Sequence, residues 1–233
     1  KGNNNYGKDA SEGGYKAIPA PGVNDSGRTA RVLTGTGPVS WSHDGTLEGI
    51  WDLNGNIWEW NGGSRTVKGE LQVLVNNNAA DLDHSQAASS AQWKAIDATT
   101  GAYITPNGSG TTANSIKLDW VSGKITYSAT ITTQADTSRD CAFASVTCAS
   151  SVSAAAQAVL KALAFLPASA TASEYEDDHM WMNNGADERA FSSGGRWYYG
   201  ANAGLFALYG NIPRSYSNWT LGFRSAYVDL PTE

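Results

Sequence analysis

We first consider the side chains that could ligate a metal ion, which are three histidines and the oxygen ligands of two short acidic segments. The histidines are His43, His84 and His179, and no two have the HxxxH or HExxH spacing that places ligands on one helix face. Residues 76–84 and 174–179 are rich in oxygen ligands, but neither segment has the ligand and glycine spacing of an EF-hand loop. We therefore expect ordinary polar histidines, solvated acidic loops and no metal site.

Covalent chemistry would need an activated nucleophile or a pair of positioned carboxylates. The sequence has no GxSxG elbow, P-loop or GxGxxG motif before a helical segment, and its spacing identifies no carboxylate pair. Cys141 and Cys148 enclose six residues, which leaves open either a small disulfide loop or two reduced thiols. The residues thus predict no catalytic group and no cofactor, and we do not expect an enzyme.

The composition is that of a lightly charged globular chain of short strands and loops. Of 233 residues, 41% are hydrophobic and 16% are charged, with 25 glycines and 9 tryptophans. The net charge is −6 and no basic run occurs, which argues against a nucleic acid partner. No stretch approaches the roughly 18 apolar residues of a membrane span, so we expect no direct membrane insertion. The first residues, KGNNNYGKDA, lack an initiator Met and an apolar signal region, so we expect a fragment or the last part of a longer protein.

One helix and several short strands are predicted to position these features. Residues 151–167 combine helix-forming Ala, Leu, Gln and Lys with a serine that can cap the start and Pro167 that ends it. Residues 30–35 and 66–75 are each predicted to form a strand, and a hairpin is predicted across the sequence VSG. The β-prone runs IWDL and IWEW flank NGN, whose Asn-Gly pair favours a tight turn.

The middle of the chain differs in composition from its two ends. Residues 67–150 are rich in Ala, Ser and Thr and contain few of the tryptophans. We interpret them as an insertion within a single domain that spans residues 1–233, with a separate subdomain as the alternative.

The last part of the chain is unusually aromatic. Ten of the 24 aromatic residues lie in residues 191–227, a segment without an acidic residue. From residue 192 to residue 220, 16 of 29 positions are Tyr, Ser, Gly or Asn, a composition typical of paratopes because tyrosine offers large contact area at low entropic cost. Tyr198 and Tyr199 are adjacent and cannot both face one core from a strand, so we expect at least one exposed ring or a loop.

Other residues of the same region are interpreted as structural. The aromatic and apolar residues beside glycines are expected in the core, and they are Trp197, Phe206, Leu208 and Phe223. The earlier tryptophans, expected in the core or beneath a binding face, are Trp51, Trp58 and Trp60. Arg224 is expected to bond loop carbonyls or an acidic partner. The local positive balance comes from Arg189, Arg196, Arg214 and Arg224. This balance is compatible with an acidic or carbohydrate-bearing ligand.

Three strings in this sequence resemble one branch of a known fold. DLNGNIWEW at residues 52–60, SSGGRW at 192–197 and GFR at 222–224 are similar to motifs of the formylglycine-generating-enzyme (sulfatase-modifying-factor) type of the C-type lectin-like fold. Ser193 stands where that family usually has arginine. The family's enzymes use a late cysteine pair or a histidine cluster that holds iron. This chain has no cysteine after Cys148 and only His179 late in the chain, so the resemblance does not extend to their chemistry.

A closer resemblance is to the variable proteins of diversity-generating retroelements, which include phage tropism determinants. GGRWYYGANAGLFAL and PRSYSNWTLGFRSA follow the terminal pattern of that group. In such proteins a retroelement recopies adenines imperfectly, so chosen codons change while the fold is kept. The resemblance implies an α+β domain of the C-type lectin-like type, with short twisted strands, few helices and the insertion at 67–150.

The resemblance also assigns residues within a variable, ligand-binding segment at 192–227. The implied scaffold positions are Gly194, Gly195, Trp197, Gly200, Ala203, Gly204, Phe206, Ala207, Leu208, Gly222, Phe223 and Arg224. The implied exposed, diversified positions are Arg196, Tyr198, Tyr199, Tyr209, Gly210, Asn211, Ile212, Tyr216, Asn218, Trp219 and Thr220.

The expected function is therefore recognition of a variable protein or glycan ligand on a target cell surface. The resemblance implies display on a phage virion, in its tail, or on the surface of a bacterial cell. The alternatives are a fixed-specificity lectin or structural phage tail protein, and an enzyme of the formylglycine-generating type. Natural variation clustered in residues 192–227 would distinguish a diversified surface from a fixed-specificity protein. Bound metal would favour the enzyme.

Overall fold

A computed structural model describes residues 1–76, 78–169 and 172–225, which fold mostly as β-sheet with one α-helix. The final two residues of the predicted variable segment, 226 and 227, lie outside the described residues. The strands are β1 (Asn24–Asp25), β2 (Arg28–Thr29), β3 (Trp58–Val67), β4 (Glu70–Val73), β5 (Lys94–Ile96), β6 (Tyr103–Ile104), β7 (Lys117–Val121), β8 (Lys124–Ser128), β9 (Arg139–Ala142), β10 (Thr147–Cys148), β11 (His179–Met182), β12 (Arg189–Ser193), β13 (Leu208–Ile212) and β14 (Leu221–Gly222). The helix α1 is Ala154–Ala162, and 3₁₀ turns lie at Val39–Trp41, Asn78–Ala80, Phe143–Ser145, Ala172–Glu174 and Gly200–Asn202.

The long strand β3 organises the main sheet. It pairs antiparallel with β4 on one side and with β12 on the other, and its start pairs parallel with β14. The order across the sheet is β10-β8-β7-β4-β3-β12-β13-β11-β9, with β5 and β6 joined through β4. The strands β12 and β13 contain residues of the predicted variable segment 192–227, which we call the tail. Both strands lie in the middle of the sheet, where each is hydrogen-bonded along both edges.

Strands from residues 67–150 join the same sheet as the rest of the chain. β4, β7, β8 and β10 lie on one side of β3, whereas β9 forms the opposite edge beside β11. The segment predicted as an insertion thus shares a continuous sheet with the tail. This mostly β-sheet domain with one helix is compatible with an α+β class.

The helix α1 covers one face of the sheet. Leu160 of α1 is fully buried and packs in the main core with Leu71, Ile125 and Phe191. The Ser153 hydroxyl accepts a hydrogen bond of 3.2 Å from the Ala156 amide, so the predicted serine cap is present. The helix is shorter at both ends than the predicted 151–167 and ends before Pro167 is reached.

The predicted turns and strands agree with the structure in part. The VSG hairpin is confirmed, because β7 and β8 pair across Ser122 and Gly123. The single strand predicted at 66–75 is wrong: Lys68 and Gly69, both with positive φ, turn the chain between β3 and β4. Residues 30–35 contribute an isolated bridge between Pro19 and Val32 rather than a strand.

The cysteine alternatives are also decided. Cys141 and Cys148 are both free thiols. Burial raises the pKa of Cys141 and raises that of Cys148 to about 11, so both are protonated and unreactive near neutral pH. In the described ranges, no helix has the length and apolar character needed to cross a membrane.

A candidate ligand-binding surface

The strand β13 alternates between the core and the opposite face. Leu208, Gly210 and Ile212 are buried, whereas Tyr209 and Asn211 between them keep some exposure. A Cβ atom on Gly210 would lie 2.5 Å from the ring of buried Phe191. The predicted exposure of Gly210 and Ile212 is therefore wrong, because successive residues of a strand point to opposite faces.

The predicted exposure of Thr220 is also wrong. Thr220 is only 6% exposed and precedes β14 directly. Its carbonyl accepts a hydrogen bond of 3.0 Å from the Trp58 amide, and its own amide donates to the Asn218 side chain at 3.0 Å. These bonds draw the backbone against β3, and the Thr220 side chain is buried with it.

Four aromatic rings pack together on the face of the sheet opposite α1. This aromatic cluster consists of Trp58 on β3, Trp181 on β11, Tyr209 on β13 and Tyr199 on the loop after β12. Trp58 stacks on Tyr209 with centroids 5.1 Å apart and meets Trp181 and Tyr199 edge-on at 5.6 and 5.5 Å. Offset and edge-on pairs of this kind add stability beyond the buried area.

Strand register explains why these rings meet. Trp181 pairs with Tyr209, Tyr209 pairs with Ser192, and Ser192 pairs with Trp60 across adjacent strands. Directly paired residues project to the same face of a sheet, so the line from Trp181 to Trp60 forms one continuous row. The neighbours of Trp181 on β11, the methionines at 180 and 182, point into the main core instead.

Arg196 connects the aromatic cluster to a more exposed tyrosine. Its guanidinium lies 4.3 Å from the ring centroid of Tyr198 and 4.7 Å from that of Tyr199, and Nη2 donates to the Tyr199 hydroxyl at 3.0 Å. Tyr198 is 36% exposed and lies, like Tyr199, on a loop, as predicted for this adjacent pair. Burial raises the pKa of both tyrosines, so both hydroxyls remain hydrogen-bond donors near neutral pH.

The remaining candidates extend the surface along the tail. Trp219 is 43% exposed, and its ring packs 4.8 Å from that of fully buried Trp197. Tyr216 is 38% exposed, and Asn211 donates from its amide to the Tyr209 hydroxyl at 3.4 Å. The structure therefore brings Arg196, Tyr198, Tyr199, Tyr209 and Asn211 into one contact group. Trp219 joins that group through Trp197.

Most of the expected scaffold positions are buried or tightly packed. Trp197 and Ala207 are fully buried, and Leu208 is nearly so. A Cβ on Gly195, which has a φ of 89°, would lie 2.5 Å from the Ala203 Cβ, and one on Gly204 would collide with the Asp178 carboxylate. The positive φ and the close approach of residue 203 favour glycine at position 195, whereas a side chain at position 204 would have to displace the Asp178 carboxylate.

Two predictions about the last residues have opposite outcomes. Arg224 is a structural arginine as predicted: it binds both carboxylate oxygens of Glu59, at 2.7 and 3.0 Å, and the Trp51 carbonyl. Phe223, expected in the core, is 78% exposed. The pairing of β14 ends at Gly222, so within the described ranges no neighbouring strand holds the Phe223 ring against the sheet.

Trp181 lies at the centre of the aromatic cluster and was not among the residues predicted from the sequence. A strand reading of HMWM would have found it, since alternation sends the two methionines to the core and His179 and Trp181 to the other face. The burial of the earlier tryptophans agrees with the prediction only in part. Trp58 is 3% exposed beneath the surface, as expected, but Trp51 and Trp60 are only partly buried.

Several polar atoms around the aromatic cluster have no hydrogen-bond partner in the described part of the chain. They are the Trp58 indole nitrogen, the Ser192 hydroxyl and Nε of Arg196. Unpaired buried polar groups are rare in folded proteins, and each can be satisfied by a ligand or by ordered water. These three atoms are buried beneath the partly exposed rings of the cluster.

The histidines take part in local contacts of loops and strands. His43 accepts a hydrogen bond from the Ile50 amide, His84 pairs with Asp81, and His179 lies 3.1 Å from Asp140. Within residues 1–76, 78–169 and 172–225, no cluster of three or more His, Cys, Asp or Glu side chains could hold a metal ion. A comparison of the sequence with models of protein families finds no match, and a comparison with curated proteins finds none either.

Proposed function

We propose that this protein recognises ligands through a retroelement-diversified surface on a C-type lectin-like scaffold of the formylglycine-generating-enzyme type. The ligand is a protein or glycan on a target cell, and the domain is displayed on a phage tail or on a bacterial cell surface. The sequence motifs at 52–60, 192–197 and 222–224 support the scaffold assignment. The mostly β-sheet domain with one helix is compatible with it.

The observation that carries the proposal is the interleaving of fixed and exposed positions in the tail. Eight of the eleven candidate positions keep side-chain exposure, and they are Arg196, Tyr198, Tyr199, Tyr209, Asn211, Tyr216, Asn218 and Trp219. Between them lie residues without freedom to change, such as Gly195, Trp197 and Gly204. A chain that must vary its surface and keep its fold needs this alternation.

The exposed residue types suit recognition without covalent chemistry. Tyr, Trp and Arg are enriched among residues that dominate binding energy, because each combines a large contact area with a hydrogen-bonding group. Tyr209 and Tyr199 rest on buried Trp58 and Trp181, so their rings are already ordered before a ligand arrives. Such preorganisation reduces the entropic cost of binding.

A display library tests adaptable recognition directly. The eight exposed positions are randomised together on the yeast surface, and the library is selected for binding to hen egg-white lysozyme as an arbitrary protein target. We expect folded display to persist and lysozyme binders to be enriched. Loss of folded display, or a folded library that yields no binder, would contradict the proposal and favour a surface of fixed specificity.

A matched library controls for general tolerance of the tail. It randomises the three buried positions Gly210, Ile212 and Thr220 instead. We expect most of its members to lose folded display, because side chains at these positions meet the core or the start of β3. Equal tolerance in both libraries would remove the distinction between scaffold and surface on which the proposal depends.

A further inference from the structure

A hollow lies beside Trp60, at the far end of the row of paired residues that begins with Trp181. Its volume is about 240 Å³, and its lining includes Trp60, Asn61, Ser64, Trp93 and Arg214. It forms where β3 bulges away from β12: Ser192 pairs with Trp60 but Ala190 pairs with Arg65, so extra residues of β3 loop out between the two pairs. Bulges that re-aim side chains are common beside binding sites.

The walls of the hollow are held in place from behind. The Arg65 guanidinium lies 4.3 Å from the ring centroid of Trp93, donates to Gln72 at 2.9 Å and pairs with Glu188 at 2.8 Å. The Trp93 indole nitrogen donates to the Ala87 carbonyl at 2.9 Å. Trp93 is only 2% exposed, so it forms a rigid floor beneath the hollow.

The side chains facing this hollow have unused hydrogen-bonding groups. Asn61 accepts from Ser193 through Oδ1, but its NH2 group makes no hydrogen bond among the described residues. The same holds for the Trp60 indole N–H and the Ser64 hydroxyl. Three of these groups can donate while only the hydroxyl can also accept, so the site favours a ligand rich in acceptors.

The hollow also carries a surplus positive charge. Arg214 binds Glu188 with Nε and Nη2, at 3.1 and 2.9 Å, which leaves Nη1 free on a side chain that is 40% exposed. Arg65 binds the same carboxylate, so two guanidinium groups share one acidic partner. A ligand carboxylate placed at Nη1 would complete the charge balance.

We propose that this tryptophan–arginine hollow binds an acidic saccharide, with the sugar ring against Trp60 and its carboxylate at Arg214, over a floor that includes buried Trp93. The volume suits a single ring, since sites for larger molecules span about 300–1,000 Å³. The site is independent of the proposed diversification, because none of its lining residues belongs to the eight exposed positions.

Titration with methyl β-D-glucuronide and methyl β-D-glucoside tests the site, with binding followed by saturation-transfer NMR. We expect a dissociation constant of about millimolar for the glucuronide, as for a small polar ligand. The neutral glucoside is expected to bind at least about tenfold more weakly, because one charged hydrogen bond accounts for such a ratio. Equal affinity for both sugars, or no saturable binding of the glucuronide at concentrations well above millimolar, would overturn the proposal.

Variants locate the binding within the chain. Arg214→Gln is expected to weaken glucuronide binding about tenfold, whereas Arg139→Gln on β9 and Tyr198→Ala on the neighbouring surface leave it unchanged. If Arg214→Gln lowers the stability of the fold, Ser64→Ala provides a second test. It is a small change at a partly exposed position and is also expected to weaken glucuronide binding. Unchanged affinity in both Arg214→Gln and Ser64→Ala would refute this site without bearing on the proposed function.

Discussion

The aromatic cluster and the polar network across β3, β4 and β7 belong to the same sheet, yet they differ in how their buried polar atoms are hydrogen-bonded. In the network, Glu70 accepts from Gln72, Ser115 and the Thr112 amide at 2.7–2.9 Å. Lys117 donates to carbonyl and hydroxyl oxygens around it. Around the aromatic cluster, Trp58 and Ser192 keep buried polar atoms without a partner in the described ranges.

This difference distinguishes a structural region from a recognition region. The polar network is closed, because its members satisfy one another and have nothing left for a ligand. The aromatic cluster is open, because the partly exposed rings of Tyr199 and Tyr209 can contact a ligand. Substitutions in the closed network should therefore lower stability more than substitutions at the exposed rings of the open cluster.

Removing the centre of the closed network is expected to have the largest effect. Glu70→Leu leaves the donors of Gln72, Ser115 and Thr112 buried without their acceptor. Each such loss costs about 1–3 kcal/mol, so we expect the free energy of unfolding to fall by about 3 kcal/mol or more. Urea denaturation measures the change. A loss of under about 1 kcal/mol would show that the network is not closed in solution.

A smaller loss of stability is expected when a side chain is added on the core-facing side of β13. Gly210→Ala places a methyl group against the Phe191 ring and should destabilise the fold by about 1–3 kcal/mol. Asn211→Ala, one position along on the outer face, is the matched control and should change stability by at most about 0.5 kcal/mol. Equal effects in thermal denaturation would show that β13 does not separate core from surface.

A buried carboxyl beneath the tail loop is expected to make stability depend on pH. Burial raises the pKa of Asp178 to about 6, although the carboxylate accepts a hydrogen bond of 2.7 Å from the Phe206 amide. Since the folded-state pKa is above the unfolded value, the folded state holds a proton between about pH 4 and 6 that the unfolded chain has lost. The contribution of Asp178 to the free energy of unfolding therefore falls as pH rises through this window and is constant above it.

Asp178→Asn removes this dependence and can still accept from Phe206. The stability of the variant relative to the native chain should rise by about 1–2 kcal/mol from pH 4 to pH 6.5. Urea denaturation at a series of pH values measures the difference. A difference that does not vary with pH would contradict the assignment and place Asp178 in a more solvated setting.

The smallest effect on stability is expected at the outermost tyrosines. Tyr198→Ala should lower the free energy of unfolding by only about 1 kcal/mol, because its ring is 36% exposed although it packs against Tyr6 and Trp197. Tyr216→Ala, at a side chain that is 38% exposed, should change it by at most about 0.5 kcal/mol. A loss of more than about 2 kcal/mol at either position, measured by thermal denaturation, would assign that tyrosine to the scaffold and make the open region smaller.

Local patterns in the sequence predicted much of the tail, and longer-range pairing decided the rest. The adjacency of Tyr198 and Tyr199 was enough to predict a loop or an exposed ring. The same alternation rule, applied to β13, separates Tyr209 and Asn211 from Gly210 and Ile212, but recognising those residues as one strand needs its partners β11 and β12.

Other features depend on contacts between residues far apart in sequence. The pairing of β11 with β13 brings Trp181 beside Tyr209, and no spacing in the sequence encodes that register. The polar network joins Arg65 to Gln72 and Glu70 to Ser115 across three strands. The tryptophan–arginine hollow depends on the bulge in β3, which appears only when β3 is aligned with β12.

Deep sequencing of this gene and its downstream DNA across a natural population tests the central claim most directly. The account predicts substitutions concentrated at the eight exposed positions and an adenine-rich near-copy of the tail downstream. It further predicts that Gly210, Ile212 and Thr220 stay constant beside their variable neighbours, because they are buried. Substitutions spread evenly along the gene, or equally frequent at these three buried positions, would contradict a diversified surface on a fixed scaffold.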